Sequence, residues 1–364
     1  VNILGIETSC DETAAAVVVD GRELRSNVIA SQLELHAPYG GVVPELAARG
    51  QLQAIVPVIQ AALDDAAMSW SDIDAIAVTQ GPGLAGSLLV GVNMAKTLAY
   101  TLDKPLVPVN HLESHIYANW ISNRGERWKR PAFPAVVLLV SGGHTELILV
   151  RDHGDYTHLG RTLDDAAGEA FDKGARLLGL GYPGGPAIQR AAQEGNPANY
   201  PLPRAWLGDS WDFSFSGLKT ALLRQVEPYR VPAERIEPSP DLPFVPHRPP
   251  VYRDDLPLAD LAAAFQDAVI EVLASKAVRA AVAHDARTLL LAGGVAANAL
   301  LRDRITAGIE ALESESKPVF ESPPIDLCTD NAAMVAAAGY FGLRRGMQAG
   351  WEFDVDARLP LVGN

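Results

Sequence analysis

The sequence predicts an α/β protein made of two similar lobes around a central cleft. Three observations carry that expectation: a β-hairpin with a polar tip occurs twice, each copy is followed by a helix, a strand, a glycine turn and a second helix, and 364 residues suffice for two lobes. In the first copy, Ile3-Leu4-Gly5-Ile6 and Ala14 to Val19 read as strands joined by the polar turn Glu7 to Thr13. A helix follows over Pro44 to Ala67, then a strand over Ile73 to Thr79, the turn Gly81-Pro82-Gly83, and a helix over Leu84 to Tyr100. The second copy opens with strands Val136 to Val140 and Glu146 to Val150 around Ser141-Gly142-Gly143-His144-Thr145. After a longer excursion it resumes with a helix over Leu258 to Ala283, the strand Thr288 to Leu291, Gly293-Gly294, and a helix from near Ala297. Glycine tips let main chain approach a phosphate, and helix starts after Gly83 and Gly294 add exposed N–H groups, so the expected ligand is a nucleotide. A single such turn is equally served by steric packing; four at matched positions favour the ligand.

Composition narrows the class. The chain is 48% hydrophobic with a net charge of −14, which argues against non-specific adhesion to nucleic acid and leaves room only for a local basic patch. Arg124, Arg127, Lys129 and Arg130, beside Trp120 and Trp128, form one candidate for RNA contact, with a solvated loop as the alternative. No apolar run approaches the ~18 residues of a membrane span, and Val1 to Leu4 lack the marks of a signal peptide, so a cytoplasmic location is expected. Cys10 and Cys328 are too few for a disulfide framework and read as small, half-buried thiols. Residues 228–257 hold nine prolines and read as an extended surface loop.

The chemistry centres on Asn110-His111-Leu112-Glu113-Ser114-His115, directly after the β-like run Leu106 to Val109. At positions i and i+4 of a helix both imidazoles share a face and can meet one cation, with a third ligand arriving from elsewhere; a pair without a ligand is the alternative. Asp165, Glu169 and Asp172 share a helical face that can bind ribose hydroxyls or a cation, or is simply solvated. Asp330, ahead of the Ala-rich helix Ala332 to Phe341, reads as an N-cap.

Six segments follow one another in a fixed order: Gly5 to Thr13, the His111 to His115 pair, Val140 to Thr145, Asp164 to Lys173, Phe213-Ser214-Phe215-Ser216-Gly217-Leu218-Lys219, and Cys328-Thr329-Asp330-Asn331. In these the chain resembles the bacterial TsaD family of tRNA threonylcarbamoyltransferases. The resemblance implies two duplicated ribonuclease-H-like lobes of the actin-like ATPase and sugar kinase (ASKHA) superfamily. On that template residues 1–108 form the N-terminal lobe, with a helix at 331–345 packing back on it. Residues 109–330 form the C-terminal lobe, which carries the metal and nucleotide site and the proline-rich insertion 228–257. The implied reaction transfers threonylcarbamoyl from threonylcarbamoyl-AMP to the N6 amine of adenosine 37, in tRNAs reading codons that begin with A, and releases AMP. By the same resemblance His111, His115 and Asp330 hold one divalent metal, iron(II) in the first instance and zinc as the alternative. Leu139, Val140, Ser141, Gly142, Gly143, Asp172, Gly185 and Asn298 contact the adenylate. Implied partners are tRNA, a shorter TsaB-like paralogue pairing through the N-terminal lobe, on helices 44–67 and 84–100, and a TsaE-like ATPase. The donor is already activated, so no covalent nucleophile is needed; Asp11 or Glu12, at the first hairpin tip, can orient the attacking amine or accept its proton. The insertion is longer than is usual in the family.

Three rival readings are weaker. A zinc peptidase needs Glu directly after the first His, where Leu112 stands, and Glu113 lies about 200° from His111 on an ideal helix. A kinase of the same fold has no use for the His pair. A non-catalytic scaffold in a tRNA-modifying complex has no use for a ligand set.

Overall fold

The structure is a computed structural model; it describes all residues except 37, 38, 40, 124, 125, 127–129, 233–249, 315, 363 and 364. The first sheet opens with β1 (Asn2–Glu7), β2 (Glu12–Val19) and β3 (Glu23–Ser31). A short helix α1 (Leu33–His36) leads to α2 (Pro44–Ala66), which starts with proline at its first turn and stops where Ala67 turns left-handed. Ser69 and Asp72 cap a single 3-10 turn, so the next strand starts two residues later than its apolar run suggests, as β4 (Ala75–Gly81). Then come α3 (Ala85–Leu102), β5 (Leu106–Asn110), α4 (His111–Tyr117) and the two-residue β6 (Ser122–Asn123). The second sheet holds β7 (Ala135–Val140), β8 (Thr145–Asp152) and β9 (Asp155–Arg161). Helices α5 (Ala167–Leu177), α6 (Gly184–Ala191), α7 (Ser216–Val226) and α8 (Leu258–Ala283) follow. The chain finishes with β10 (Thr288–Ala292), α9 (Ala299–Glu310), β11 (Val319–Glu321) and α10 (Ala332–Arg344).

Strand pairing confirms the duplication. The first sheet runs β5-β4-β1-β2-β3-β6 and the second β11-β10-β7-β8-β9. In each, a three-stranded antiparallel meander is extended by two parallel strands on the side of its first strand. The central strands are buried along nearly their whole length rather than alternately, because helices cover both faces.

Helices α2 and α3 cover the outer face of the first sheet through Leu4, Ile6, Ile55, Ile59, Val92 and Ala95. Helices α5 to α9 cover the outer face of the second, with Phe171, Phe213 and Phe265 at the centre. Between the sheets lies a third core shared by both: α4 and α10 pack there against Ile3, Ala77 and Val107 on one side and Val137, Ile148 and Leu290 on the other. The division expected at residue 108 falls within β5, the strand that leads into this shared layer. β6 returns to pair with β3 of the first sheet, and α4 and α10 serve both lobes.

Cys10 is half-buried and Cys328 buried, both free. Trp120, expected beside a basic RNA-binding loop, is core instead: its ring lies 5.2 Å from that of Tyr117 and it is 2% exposed. Arg124, Arg127, Trp128 and Lys129 lie outside the described residues, as does 233–249 of the proline-rich segment. The ends of that segment are tied together by Val231 N–H to Val251 O, 2.9 Å, and Arg253 N–H to Tyr229 O, 2.9 Å. No helix among the described residues is long and apolar enough to cross a membrane.

Candidate active site

β5 delivers the chain to α4, and Asn110 caps that helix by accepting from Leu112 N (2.9 Å) and Glu113 N (3.3 Å). The cap fixes the helical phase, so His111 and His115 fall on one face with ring centroids 4.8 Å apart. Asp330 meets them from the start of α10: its Oδ1 is 3.1 Å from His115 Nε2 and 3.6 Å from His111 Nε2. The capping role expected of Asp330 belongs to its neighbour. Asn331 Oδ1 accepts from Met334 N at 3.0 Å, while its amide donates to Leu327 O and Thr329 O. Asp330 is thereby left free to face the histidines.

A residue the sequence reading missed completes the group. Glu7, fully buried at the end of β1, accepts from Ser9 N (2.5 Å) and Thr79 Oγ1 (2.6 Å) and faces His111 Nδ1 at 3.3 Å. A carboxylate can only accept, so Nδ1 carries a proton toward Glu7, and with Asp330 on its other side the ring favours its charged form, whose Nε2 proton a bound ion would have to displace. Burial alone would raise the Glu7 carboxyl, but the His111 imidazole outweighs it and holds it below the usual carboxylate range. Burial likewise opposes charge on His111, yet Asp330 and Glu7 prevail and raise its imidazole to about 9. Glu7 was legible only as a polar residue closing an apolar strand.

The donor set fits a divalent ion. His115 is 1% exposed, its Nε2 has only the Asp330 carboxylate beside it, and the ligand atoms of His111, His115 and Asp330 lie within 4.8 Å of one another. Buried imidazole nitrogens without partners are costly unless something binds them. Two histidines and one carboxylate leave coordination positions open, as a metal that takes a substrate requires.

Glu113 points elsewhere. It accepts from Tyr156 Oη (2.7 Å) and pairs with Arg345 at 2.9 Å, holding α4 to the end of α10. It is a strut, and a metal-peptidase base is absent from that position. Glu113→Gln should destabilise the fold by about 3 kcal/mol, since it leaves the half-buried Arg345 without its charge partner. Chemical denaturation checks this; unchanged stability would argue against the strut.

The second hairpin tip supplies the other half of the site. Leu139 and Val140 are buried, so only their main chain can be offered to a ligand. Gly142 and Gly143 have open space where a Cβ would sit, as does Gly185. Close packing gathers these elements: a Cβ on Gly168 would stand 2.5 Å from Ser141 O, and Gly293, at φ +89°, passes against Val140 O. Asp172 accepts from Gly184 N at 2.7 Å, and burial raises its carboxyl. Asn298 caps α9 through Leu301 N (3.1 Å) and donates to Gln266 (3.1 Å), leaving one amide hydrogen uncommitted.

Three expectations change. Gly81-Pro82-Gly83 is not a phosphate loop: Leu84 N donates to Ser9 O and Gly83 N to Ala357 O, so these N–H groups before α3 are occupied. After Gly294 the chain makes a 3-10 turn (Gly294–Ala297) before α9, and Ala299 N is taken by Gln189. Asp165 and Glu169 do not form a cation site with Asp172, because Lys173 bridges them at 2.6 and 2.9 Å.

At the first hairpin tip Asp11 is buried, and burial, with Asp330 and Asp11 nearby, pushes the Glu12 carboxyl up to about 9. Two residues absent from the expected set join the group electrostatically. His144, whose imidazole burial holds below its ordinary value, feels His111, His115 and Asp330. Tyr182, raised to about 12 by burial, feels Asp172 of its own lobe and Asp11 and Glu12 of the other.

Comparison with known proteins places this geometry. The TsaD family, described as tRNA N6-adenosine threonylcarbamoyltransferase, matches residues 23–337. The chain belongs to the TsaD family. Proteins of that name from Thermomicrobium roseum and Bacillus subtilis are 62% and 48% identical to it over 362 and 361 residues, covering 99% of this chain in both cases and 97% and 96% of theirs. As a TsaD member the chain is a transferase acting on tRNA. Among solved structures, HypF of T. kodakarensis aligns with a TM-score of 0.59 at 15% identity, over 94% of this chain and 48% of that one. Component A of the (R)-2-hydroxyglutaryl-CoA dehydratase of Acidaminococcus fermentans aligns at 0.51 and 14%, over 93% and 98%. At such identities the likeness concerns fold alone, and the fold is the expected actin-like ATPase architecture.

Proposed function

We infer that this chain transfers the threonylcarbamoyl group of threonylcarbamoyl-AMP to the N6 amine of adenosine 37 in cytoplasmic tRNAs that read codons beginning with A. The observation that carries the reading is the convergence of His111, His115 and Asp330 beside a glycine-lined tip, in a TsaD member. The N6 nitrogen attacks the carbamoyl carbon, the bond from that carbon to the phosphate oxygen breaks, and AMP departs with the bonding pair. The N6 proton passes to a neighbouring base. His111, His115 and Asp330 would hold an iron(II) ion, or zinc in its place, which would supply Lewis-acid polarisation of the carbonyl.

The chain's own residues do the rest. Main chain at Leu139 to Gly143 and the approach at Gly185 cradle the adenylate, Asp172 and Asn298 bind its polar groups, and the two lobes exclude water. Asp11 is the group proposed to accept the amine proton. Glu12, beside it at the same tip, can orient the attacking amine. Incubation of the protein with unmodified tRNA, the adenylate and its partners, read by nucleoside mass spectrometry, should yield threonylcarbamoyladenosine in stoichiometric amounts; AMP release without modified nucleoside would sink the reading.

The partner that pairs with this subunit is proposed to be a TsaB-like paralogue seated on α2 and α3, with a TsaE-like ATPase joining the assembly. The support is an apolar groove of about 430 Å³ between these helices, where Leu52 and Val56 are 65% and 61% exposed and Leu89 40%. Val56→Asp should abolish co-elution with the paralogue while leaving the melting temperature of the isolated subunit within a degree or so, since the side chain is already solvated.

A further inference from the structure

We propose that a separate cavity on the β8–β9 side of the Ser141–Gly143 tip is the acceptor-strand site, in which Arg161 and Arg358 grip an RNA backbone phosphate next to the reacting adenosine. The inference rests on the transfer reaction proposed above. The cavity measures about 850 Å³, enough for a nucleotide-sized group. Gly143 and His144 line it at the tip, and the His144 imidazole is within electrostatic reach of His111, His115 and Asp330. Through His144 the hollow opens toward the metal group, whereas Gly168, at the start of α5, and Gly293, after β10, pack on Ser141 and Val140 of the tip. A donor held by those elements leaves the acceptor to enter here.

Charge selects the occupant. Arg161 and Arg358 both line the cavity and are exposed, and among the described residues neither guanidinium has an ion-pair or hydrogen-bond partner; Arg161 is held through its main chain by Asp212 and Phe213, and Arg358 N–H by Asp356. Two unpaired guanidinium groups in one hollow of a chain with net charge −14 call for an anion. The single carboxylate in the lining, Glu146, is held by His158 Nε2 at 3.0 Å. The wall carrying Arg358 is fixed in advance: Asn110 donates to Leu359 O and Pro360 O, and Asp356 N donates to Gln80 O. Asn110 is also the cap of α4, so one side chain sets both the histidine phase and the position of this wall.

The test uses the complete subunit with its partners and a fluorescent, unmodified anticodon stem-loop RNA, read by anisotropy over a salt series. Arg161→Ala and Arg358→Ala should each weaken RNA binding about tenfold and lower the salt slope by about one. Arg→Lys at either position should recover most of the binding, with metal content and the KM for the adenylate within twofold of wild type. RNA binding by the double alanine variant equal to wild type would overturn the proposal. So would an adenylate KM that rises in step with the RNA Kd, which would make this the donor's phosphate site, and so would a wild-type complex that binds no RNA. If the arginines govern RNA binding but no modified nucleoside forms, the reaction reading fails and the site stands.

Discussion

Asp330→Ala is expected to strip the protein of its metal and to lower transfer by on the order of a thousandfold, the several kcal/mol that a polarising ion contributes to an acyl-transfer transition state. Asp330 is the member of the set that comes from a distant part of the chain, and without it His111 and His115 are two adjacent imidazoles with too few donors to retain an ion. Glu7→Gln should act through His111 rather than on the ion, weakening metal affinity about 10- to 100-fold while the three donors remain. Acidification gives a third readout. Because Asp330 and Glu7 raise the His111 imidazole to about 9, the ion must displace a proton from that ring. Apparent affinity should therefore climb about tenfold per pH unit up to near pH 9 and flatten above it. Metal content by elemental analysis, followed by titration at several pH values, checks all three. An Asp330→Ala protein that keeps one equivalent of metal would refute the assignment.

Gly5→Ala should destabilise the fold by on the order of 3 kcal/mol, at the upper end of what overpacking costs. A Cβ there would stand 2.3 Å from Ala332 O, 2.7 Å from Ala336 N and 2.9 Å from Ala336 Cβ, and backbone cannot step aside as a flexible side chain can. The whole start of α10 must move, and Asp330 moves with it, so metal affinity should fall along with stability. Gly142→Ala provides the contrast: its Cβ would meet nothing, and stability should stay within about 0.5 kcal/mol. Denaturant midpoints for the two variants decide the matter; equal midpoints would show that β1 and α10 tolerate separation.

Periodicity and the repeated hairpin made the duplication readable, because a buried central strand and a long amphipathic helix announce themselves locally. Pro44–Ala66 and Leu258–Ala283 fall within a residue of their expected ends. The His pair was legible for the same reason, both residues lying on one short helix. What escaped was whatever depends on contacts between distant segments. Glu7 became a partner of His111 only once β1 and α4 met, and Lys173 silenced an acidic face that helical spacing alone had made attractive. The glycine turns show the limit most plainly. Gly83 and Gly143 look alike in sequence, yet a Cβ on the first would strike Ser9 O while the second faces open space. The choice between Asp330 and Asn331 as the cap of α10 turned on a one-residue offset that adjacent capping residues cannot resolve by type.

The layer between the two sheets has a mechanical consequence. Both histidines stand on α4 and the aspartate stands at the head of α10, and both helices belong to the core layer shared by the two sheets. An ion held by His111, His115 and Asp330 would tie α4 to α10 and so brace the layer that joins the two sheets.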